Sequence, residues 1–394
     1  MPVPVSKRAL RVKPSPTLAV TALAAKLKAE GKDVIGLGAG EPDFDTPAHI
    51  SAAGVQAINS GFTRYTNVDG VAELKDAIIA KFKRDNGIEY ERQQVLVSSG
   101  AKQTIFNLCM AVLDPGDEVI IPAPYWVSYP DMALLADGVP VTPYAGPEQG
   151  YKITAPQLTA AITSRTRLML INSPSNPTGA AYSAAEWRAL GAVLLQHPRI
   201  VIGTDDIYEK IYWGAEPFTS LLTVVPELYD RTVTINGCSK AYAMTGWRIG
   251  YCGGPKELID AMTTIQGQST SNAASMSQKA ASAALNGEQS CVAAMNQAFK
   301  ERHDYIVAAL NTLPGVSCQP ASGAFYAFAD VSQAIAKLGL KDDNEFAEYL
   351  INGVGVAVVP GSGFGAPGHI RISYACSRKM LEKAIERMRK ALAA

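Results

Sequence analysis

Six short apolar runs, separated by longer amphipathic stretches, mark the middle of the chain. Each run is apolar throughout rather than at every second position, which indicates strands covered on both faces, as in a largely parallel sheet. The predicted strands are residues 94–98, 118–121, 168–171, 200–203, 232–235 and 249–252. The stretches between them include helical patterns at 104–113 and 184–196. Strands that alternate with helices predict an α/β fold, here a three-layer αβα domain around a mainly parallel sheet.

The C-terminal part has a different pattern. Its predicted order is a helix at 294–313, a strand at 323–329, a helix at 345–351, a strand at 354–359 and a closing helix at 378–393. This order is typical of a smaller α+β domain, against which the N-terminal segment is expected to pack.

The length and composition agree with two domains. At about 150 residues per domain, 394 residues allow two or three, and 47% hydrophobic residues are enough for a large core. We predict an N-terminal arm with part of the small domain at 1–45, a large domain at 46–295 and the rest of the small domain at 296–394.

The charge balance and the cysteine content exclude several classes of protein. The chain has 36 Lys and Arg and 36 Asp and Glu residues, so no net field attracts nucleic acid or anionic lipid. It has no apolar run of about 18 residues that could span a membrane, and no pattern typical of a signal peptide. Its 6 cysteines form no CxxC pair, which argues against a structural zinc site and a disulfide framework. We expect a cytoplasmic enzyme without a metal, a membrane or a nucleic-acid partner.

The residues that follow the predicted strands are the candidate site, because open α/β sheets bind ligands beyond the carboxyl ends of their strands. After the strand at 94–98, Gly100 and Ala101 lead into a helix, where small residues and free N–H groups favour a phosphate. The segment is neither a dinucleotide GxGxxG motif nor a GxxxxGK[ST] loop. An ordinary strand-to-helix turn is the alternative interpretation.

Three further strand ends carry polar side chains. Asn176 lies between two prolines in a rigid loop. Asp205 and Tyr208 are one helical turn apart and can reach one ligand, and a buried acid there needs a cationic partner. Lys240 follows a strand among small residues, and shielding from water makes such an amine a nucleophile suited to Schiff-base chemistry. Plain turns and solvated side chains are the alternatives.

These four strand ends provide an anion cradle, an amide donor, a buried acid and a shielded lysine. Pyridoxal phosphate has a phosphate, a phenolate oxygen, a ring nitrogen and an aldehyde, which match the four in turn. Its usual protein requirements are a lysine for the Schiff base and an acid at the ring nitrogen. We therefore predict that pyridoxal phosphate is the cofactor.

Longer motifs agree with this prediction. They are GEPDFDTP at 40–47, PYWVSYP at 124–130, NPTG at 176–179, MTGWRIGY at 244–251 and RISYA at 371–375. With these motifs in this order, the chain resembles the class I pyridoxal-phosphate-dependent aminotransferases of fold type I, and among them the bacterial aspartate aminotransferases. The resemblance covers essentially the whole chain.

The resemblance implies catalytic roles for three residues. Lys240 forms the Schiff base with the cofactor and then moves a proton between the substrate Cα and the cofactor. Asp205 keeps the ring nitrogen protonated, so that the ring accepts electrons. Tyr208, together with Asn176, hydrogen-bonds the 3′ oxygen of the ring.

The resemblance also implies how the cofactor is held. Gly100, Ala101 and Lys102 meet the phosphate, with Arg248 as its charged partner. Tyr65 of the partner subunit reaches the same phosphate, which makes the site a property of a homodimer. The family often has a hydroxyl residue where this chain has Gly237, so one phosphate hydrogen bond is in doubt, and Ser239 is the candidate to replace it.

The substrate residues follow from the same resemblance. Arg371 grips the α-carboxylate with two hydrogen bonds, assisted by Gly40 and Asn176, and Trp126 lies on the ring face. Lys13 is the candidate for the distal carboxylate, since in some similar members a lysine there accompanies activity on prephenate as well as oxaloacetate. A solvated arm lysine is the alternative.

The implied reaction is amino transfer from L-aspartate to 2-oxoglutarate, with prephenate as a further acceptor. An aromatic or alanine aminotransferase, or a β-eliminating lyase of the same fold, stays open as an alternative. A ligand-sensing regulator built on this fold needs an added DNA-binding domain, and the neutral charge weighs against it.

Overall fold

The computed structural model describes residues 3–393, in which short strands form three sheets. The strands are β1 (Ile35–Gly36), β2 (Val95–Ser98), β3 (Glu118–Ile120), β4 (Val139–Val141), β5 (Thr166–Asn172), β6 (Val201–Asp205), β7 (Thr232–Gly237), β8 (Gly250–Gly253), β9 (Ser317–Cys318), β10 (Tyr326–Asp330), β11 (Val356–Ala357), β12 (Val359–Pro360) and β13 (His369–Ser373).

Helices cover these sheets. They are α1 (Lys7–Arg11), α2 (Pro16–Ala29), α3 (Ala48–Asn59), α4 (Ala72–Asn86), α5 (Ala101–Val112), α6 (Ser128–Leu135), α7 (Ala155–Ala161), α8 (Ala184–Leu195), α9 (Leu221–Val224), α10 (Lys256–Gly267), α11 (Ser275–Asn286), α12 (Ser290–Leu310), α13 (Ser332–Lys337), α14 (Asp343–Val354) and α15 (Arg378–Leu392). Within residues 3–393, none of these helices has both the length and the apolar content to cross a membrane.

The central sheet has seven strands in the order β2-β8-β7-β6-β5-β3-β4. Only β8 runs antiparallel to its neighbours, so the sheet is mainly parallel, as predicted. All six predicted strands form. The edge strand β4 was not predicted, because Pro140 interrupts its pattern, and an edge position tolerates a proline that cannot donate to the ladder.

Alternate residues of one strand enter different cores. In β5, Leu168 and Leu170 pack into one apolar cluster, while Met169 and Ile171 pack into another. Both faces of the sheet are therefore covered, which explains why the strands are apolar throughout rather than alternating. The predicted α/β class with three layers is confirmed.

The C-terminal part forms a four-stranded antiparallel sheet, β12-β13-β10-β9. The predicted strand at 323–329 begins only at Tyr326, because Ala324 has φ +60°, which is outside the strand region. The predicted strand at 354–359 is two strands, since β11 pairs with β1 and β12 pairs with β13. The β1–β11 pair joins the N-terminal segment to this part. The predicted limits 1–45, 46–295 and 296–394 stay a prediction.

Candidate active site

A cavity of about 420 Å³ lies where β5, β6 and β7 end. Most of the predicted site residues line it: Gly40, Ala101, Lys102, Trp126, Asn176, Asp205, Tyr208, Ser239, Lys240, Arg248 and Arg371. Asn176, Asp205 and Lys240 converge because the carboxyl ends of parallel strands meet at one edge of the central sheet. Arg371 reaches the cavity from β13 of the other sheet. Gly100 lies directly before the lining residue Ala101.

Lys240 projects into this cavity from the segment after β7. Its Nζ donates a hydrogen bond of 2.5 Å to the carbonyl oxygen of Gly40. Burial, together with the positive charges of Arg371 and Arg248, lowers the pKa of Lys240 to about 8. The neutral amine, which is the form that a nucleophile or a base needs, is therefore far more populated near pH 7 than in an ordinary lysine.

Asp205 ends β6, and its carboxylate is buried. Its Oδ2 accepts a hydrogen bond of 2.6 Å from the hydroxyl of Tyr129, and Oδ1 accepts one from the backbone N–H of Ile207. Burial raises the pKa of Asp205 to about 6, and the hydrogen bond from Tyr129 opposes that rise. An acid in this state forms a strong, charge-assisted hydrogen bond with a protonated ring nitrogen.

Arg371, in the middle of β13, is only 1% exposed. Its Nη1 donates to Oδ1 of Asn176 at 2.8 Å, and Nη2 donates to the carbonyl oxygen of Gly38 at 2.6 Å. Within residues 3–393, its Nε has no hydrogen-bond partner and its charge meets no carboxylate. A buried cation in this state is suited to bind an anionic group that enters the cavity.

The start of α5 forms an anion cradle with Arg248. Gly100 has φ +88°, and a Cβ there would come within 2.8 Å of Arg248 Cζ, so only glycine allows this approach. Lys102 lies nearby, with its Nζ 4.9 Å from the centre of the Trp126 ring. Two cations and free N–H groups at a helix start fit a phosphate.

The packing around Gly237 is tight, which favours glycine over the hydroxyl residue that the family often has there. A Cβ at this position would lie 3.0 Å from the carbonyl oxygen of Ile249 and 3.3 Å from Cα of Gly250. A larger residue needs the antiparallel strand β8 to move. Ser239, two residues later, is buried and lines the cavity, so a hydroxyl is still available beside the cradle.

Two predicted residues do not reach the cavity of this chain. Lys13 lies in the extended segment between α1 and α2 and is exposed. It faces Asp131, where burial raises the pKa of the carboxyl and Lys13 opposes the rise. Thr17, Leu18 and Thr21 line the cavity from the same arm. The role of Lys13 toward a distal carboxylate stays a prediction.

Tyr65 is 91% exposed and does not line the cavity of its own chain. An exposed tyrosine can contact a second copy of the chain, as its predicted role in the partner's site requires. That role stays a prediction.

Sequence reasoning missed several residues that contact the site. Tyr129 lies inside the PYWVSYP motif, which could have drawn attention to it. Asn172 donates to the backbone oxygen of Asp205 at 2.6 Å and accepts from the N–H of Asn176 at 2.7 Å, and its place at the end of β5 was a usable signal. Tyr326 lies inside an apolar strand of the other sheet, where the sequence pattern gives no sign of chemistry.

The cavity as a whole fits pyridoxal phosphate. Arg248, Lys102 and the start of α5 suit the phosphate, Asp205 suits the ring nitrogen, and Lys240 suits the aldehyde. The guanidinium of Arg248 is available for an anion, since it contacts only backbone oxygens among the described residues.

Comparisons with known sequences give the family. The family described as Aminotransferase class I and II matches residues 32–388. The chain is 56% identical to the aspartate/prephenate aminotransferase of Nitrosomonas europaea over 389 residues, covering 97% of this chain and 98% of that protein. It is 54% identical to the aspartate/prephenate aminotransferase of Cereibacter sphaeroides, covering 96% of each.

Solved structures agree. The aspartate aminotransferase from Rhizobium meliloti has a TM-score of 0.96 at 48% identity, covering 100% of this chain and 99% of that one. The aspartate aminotransferase from Thermus thermophilus with maleate has a TM-score of 0.93 at 41% identity, covering 99% and 100%. Enzymes of this class use pyridoxal phosphate. The chain therefore belongs to the class I and II aminotransferases and has the fold of these pyridoxal-phosphate enzymes.

Proposed function

We propose that the chain transfers the amino group of L-aspartate to 2-oxoglutarate, giving oxaloacetate and L-glutamate, and that prephenate is a further acceptor. The observation that carries the proposal is the buried, carboxylate-free guanidinium of Arg371 in the same cavity as the amine of Lys240. This pair suits a substrate with a carboxylate and an amino group on one carbon. The names of relatives at 56% and 54% identity support aspartate and prephenate.

Arg371 is proposed to bind the α-carboxylate. Asn176 and the carbonyl of Gly38 each occupy one of its terminal nitrogens, which fixes the plane of the guanidinium, while Nε carries a further donor. A fixed fork binds a carboxylate with two hydrogen bonds and sets the substrate's orientation. Gly40 contributes backbone at the cavity wall, beside the amine of Lys240.

Pyridoxal phosphate, when bound, supplies an electron sink that makes the Cα proton of an amino acid removable. Lys240 is proposed to take that proton from Cα and to deliver it to the cofactor carbon that carries the aldehyde, and its lowered pKa suits both directions of transfer. Asp205, held by Tyr129, is proposed to keep the ring nitrogen charged. Tyr208 and Asn176 are proposed to face the 3′ oxygen, with Trp126 on the ring face.

The phosphate is proposed to lie at Gly100, Ala101 and Lys102, with Arg248 as the main counter-charge and Ser239 as a hydroxyl donor. The Nη2 of Arg248 donates to the carbonyl oxygen of Ser99 at 3.4 Å, just before the start of α5. These groups anchor the cofactor through its anionic end and leave its reactive end near Lys240.

We also propose that the enzyme is a cytoplasmic homodimer. The exposed ring of Tyr65 supports a site shared between two copies. All six cysteines are free thiols, which agrees with a reducing compartment.

Steady-state rates with a panel of substrates test the function. The proposal predicts a higher kcat/KM for aspartate with 2-oxoglutarate than for alanine or phenylalanine, and measurable transfer to prephenate. Equal or higher rates with alanine or phenylalanine would contradict the aspartate assignment. Release of ammonia from an amino acid without any oxo acid would identify the β-eliminating alternative instead.

A further inference from the structure

Tyr326 contacts three parts of the candidate site at once. Its hydroxyl lies 2.8 Å from the hydroxyl of Tyr208. Its ring lies under the guanidinium of Arg371, with 4.5 Å between Arg371 Cζ and the ring centre. A Cβ on Gly40 would come within 3.0 Å of the Tyr326 hydroxyl, so the backbone there packs closely against it. Tyr326 is fully buried from solvent, yet it lines the cavity.

The bond between the two tyrosines decides where one proton goes. Among residues 3–393, each hydroxyl has the other as its only hydrogen-bond partner. A phenol has one proton, so the donor of this bond has none left to give. If Tyr326 donates, the proton of Tyr208 stays available to an acceptor in the cavity. If Tyr208 donates, it cannot also donate to a cofactor.

The surroundings favour Tyr326 as the donor. A cation on the face of a phenol ring stabilises negative charge on its oxygen, and the Arg371 guanidinium occupies that place on Tyr326. The Arg371 charge accordingly opposes the burial that raises the pKa of Tyr326. The pKa of Tyr208 is raised well above its usual value, chiefly by burial and by Tyr326 itself, and the Arg371 charge opposes this rise only as one of the smaller contributions. The more acidic phenol is the better donor.

We propose that Tyr326 is a positioning residue that donates its hydroxyl proton to Tyr208 and so directs the proton of Tyr208 to the 3′ oxygen of the cofactor. This rests on the proposed function, since it assigns Tyr208 to that oxygen. Besides Arg371, the charged groups near this pair are Asp205 and Lys240, and none of them takes the proton of Tyr326.

The visible absorbance of the bound cofactor, titrated with pH, tests the proposal. A hydrogen bond accepted from Tyr326 makes Tyr208 a stronger donor to the 3′ oxygen, so removing it weakens that bond and moves the midpoint of the absorbance change upward. Tyr326→Phe keeps the ring over which Arg371 lies and removes the hydroxyl. We expect an upward shift of about 0.1 to 0.3 pH unit, a fraction of what the loss of a whole hydrogen bond gives. If Tyr208 instead donates to Tyr326, the same variant frees the Tyr208 proton for the 3′ oxygen and moves the midpoint downward.

A double-variant cycle shows whether the effect passes through Tyr208. Tyr208→Phe is expected to shift the midpoint upward, and adding Tyr326→Phe to it should give no further shift. Tyr374→Phe is the matched control, because it also removes a buried hydroxyl, one that bonds the carbonyl of Ala324 at 3.3 Å outside the cavity. Its midpoint should equal that of the wild type.

The hydrogen bond from Tyr326 can also be strengthened, by a substitution that keeps the hydroxyl. Placing 3-fluorotyrosine at position 326 makes the phenol a stronger donor, and the midpoint should then move downward. A downward shift in Tyr326→Phe, an unchanged midpoint in both Tyr326 variants, or additive shifts in the double variant would overturn the role of Tyr326. A wild-type protein that shows no visible absorbance from a bound cofactor would instead contradict the proposed function.

Discussion

Two groups of charged residues adjoin the loop at 205–209, and they differ in how they are paired. Behind the loop, Lys81 of α4 forms an ion pair with Glu209, and both are at most 7% exposed. Asn86 accepts from Lys81 at 2.7 Å and donates to Glu209 at 2.9 Å. Every charge in this cluster, which we call the α4 cluster, has a partner from the protein.

The cavity in front of the loop is different. Arg371, Lys240 and Arg248 all contact backbone or amide oxygens, and among the described residues none of them pairs with a carboxylate. Of these three, Arg371 is buried, Lys240 is half-buried and Arg248 is exposed. An unpaired buried charge such as that of Arg371 lowers stability, and sites that carry function often retain such costs. The comparison assigns the α4 cluster to the fold and the cavity cations to anions that enter from outside.

The largest effect is expected at Lys240. Lys240→Ala should abolish transamination and the visible absorbance of the bound cofactor while the protein stays folded, because the other lysine of the cavity, Lys102, lies at the proposed phosphate site. Activity and absorbance are compared with Lys83→Ala, which removes an exposed lysine paired with Glu89 and should change neither. More than a trace of activity in Lys240→Ala would contradict the assignment.

Asp205→Asn should bind the cofactor but lower kcat by about a thousandfold, because an amide cannot stabilise a charged ring nitrogen. Asp206→Asn provides the control from the neighbouring position. Burial raises the pKa of Asp206 to about 8, so this acid is mostly neutral at pH 7, and its Oδ2 accepts from Ser220 at 2.7 Å. If the two variants lose similar activity, the ring-nitrogen role does not belong to Asp205.

The smallest effect is expected at Lys13, which is exposed rather than part of either group. If the arm orders over the site with substrate, Lys13→Ala should weaken kcat/KM for aspartate, glutamate and prephenate by about 10- to 150-fold, and for alanine much less. This range corresponds to roughly 1.5–3 kcal/mol for a charge-assisted hydrogen bond. Equal losses for alanine and aspartate would show that Lys13 acts only through packing of the arm.

Much of the site could be predicted because its residues follow strands. Asn176, Asp205 and Lys240 come directly after apolar runs, and parallel strands bring their ends together whatever the tertiary detail. Tyr129 and Tyr326 could not be found this way. Tyr129 acts from a helix and Tyr326 from a strand of the second sheet, so their contacts depend on how separate elements pack.

One paired measurement tests the contrast between the two groups most directly: the unfolding temperature and kcat/KM of Arg371→Met and Lys81→Met. Arg371→Met should lose about 10²- to 10⁴-fold in kcat/KM, as for two charge-assisted hydrogen bonds, and unfold at the wild-type temperature or above. Lys81→Met leaves the carboxylate of Glu209 buried without a cation, which lowers the free energy of unfolding by about 3–5 kcal/mol. This variant should unfold at a clearly lower temperature. A destabilised Arg371→Met with near-normal activity, or a fully stable Lys81→Met, would contradict the account.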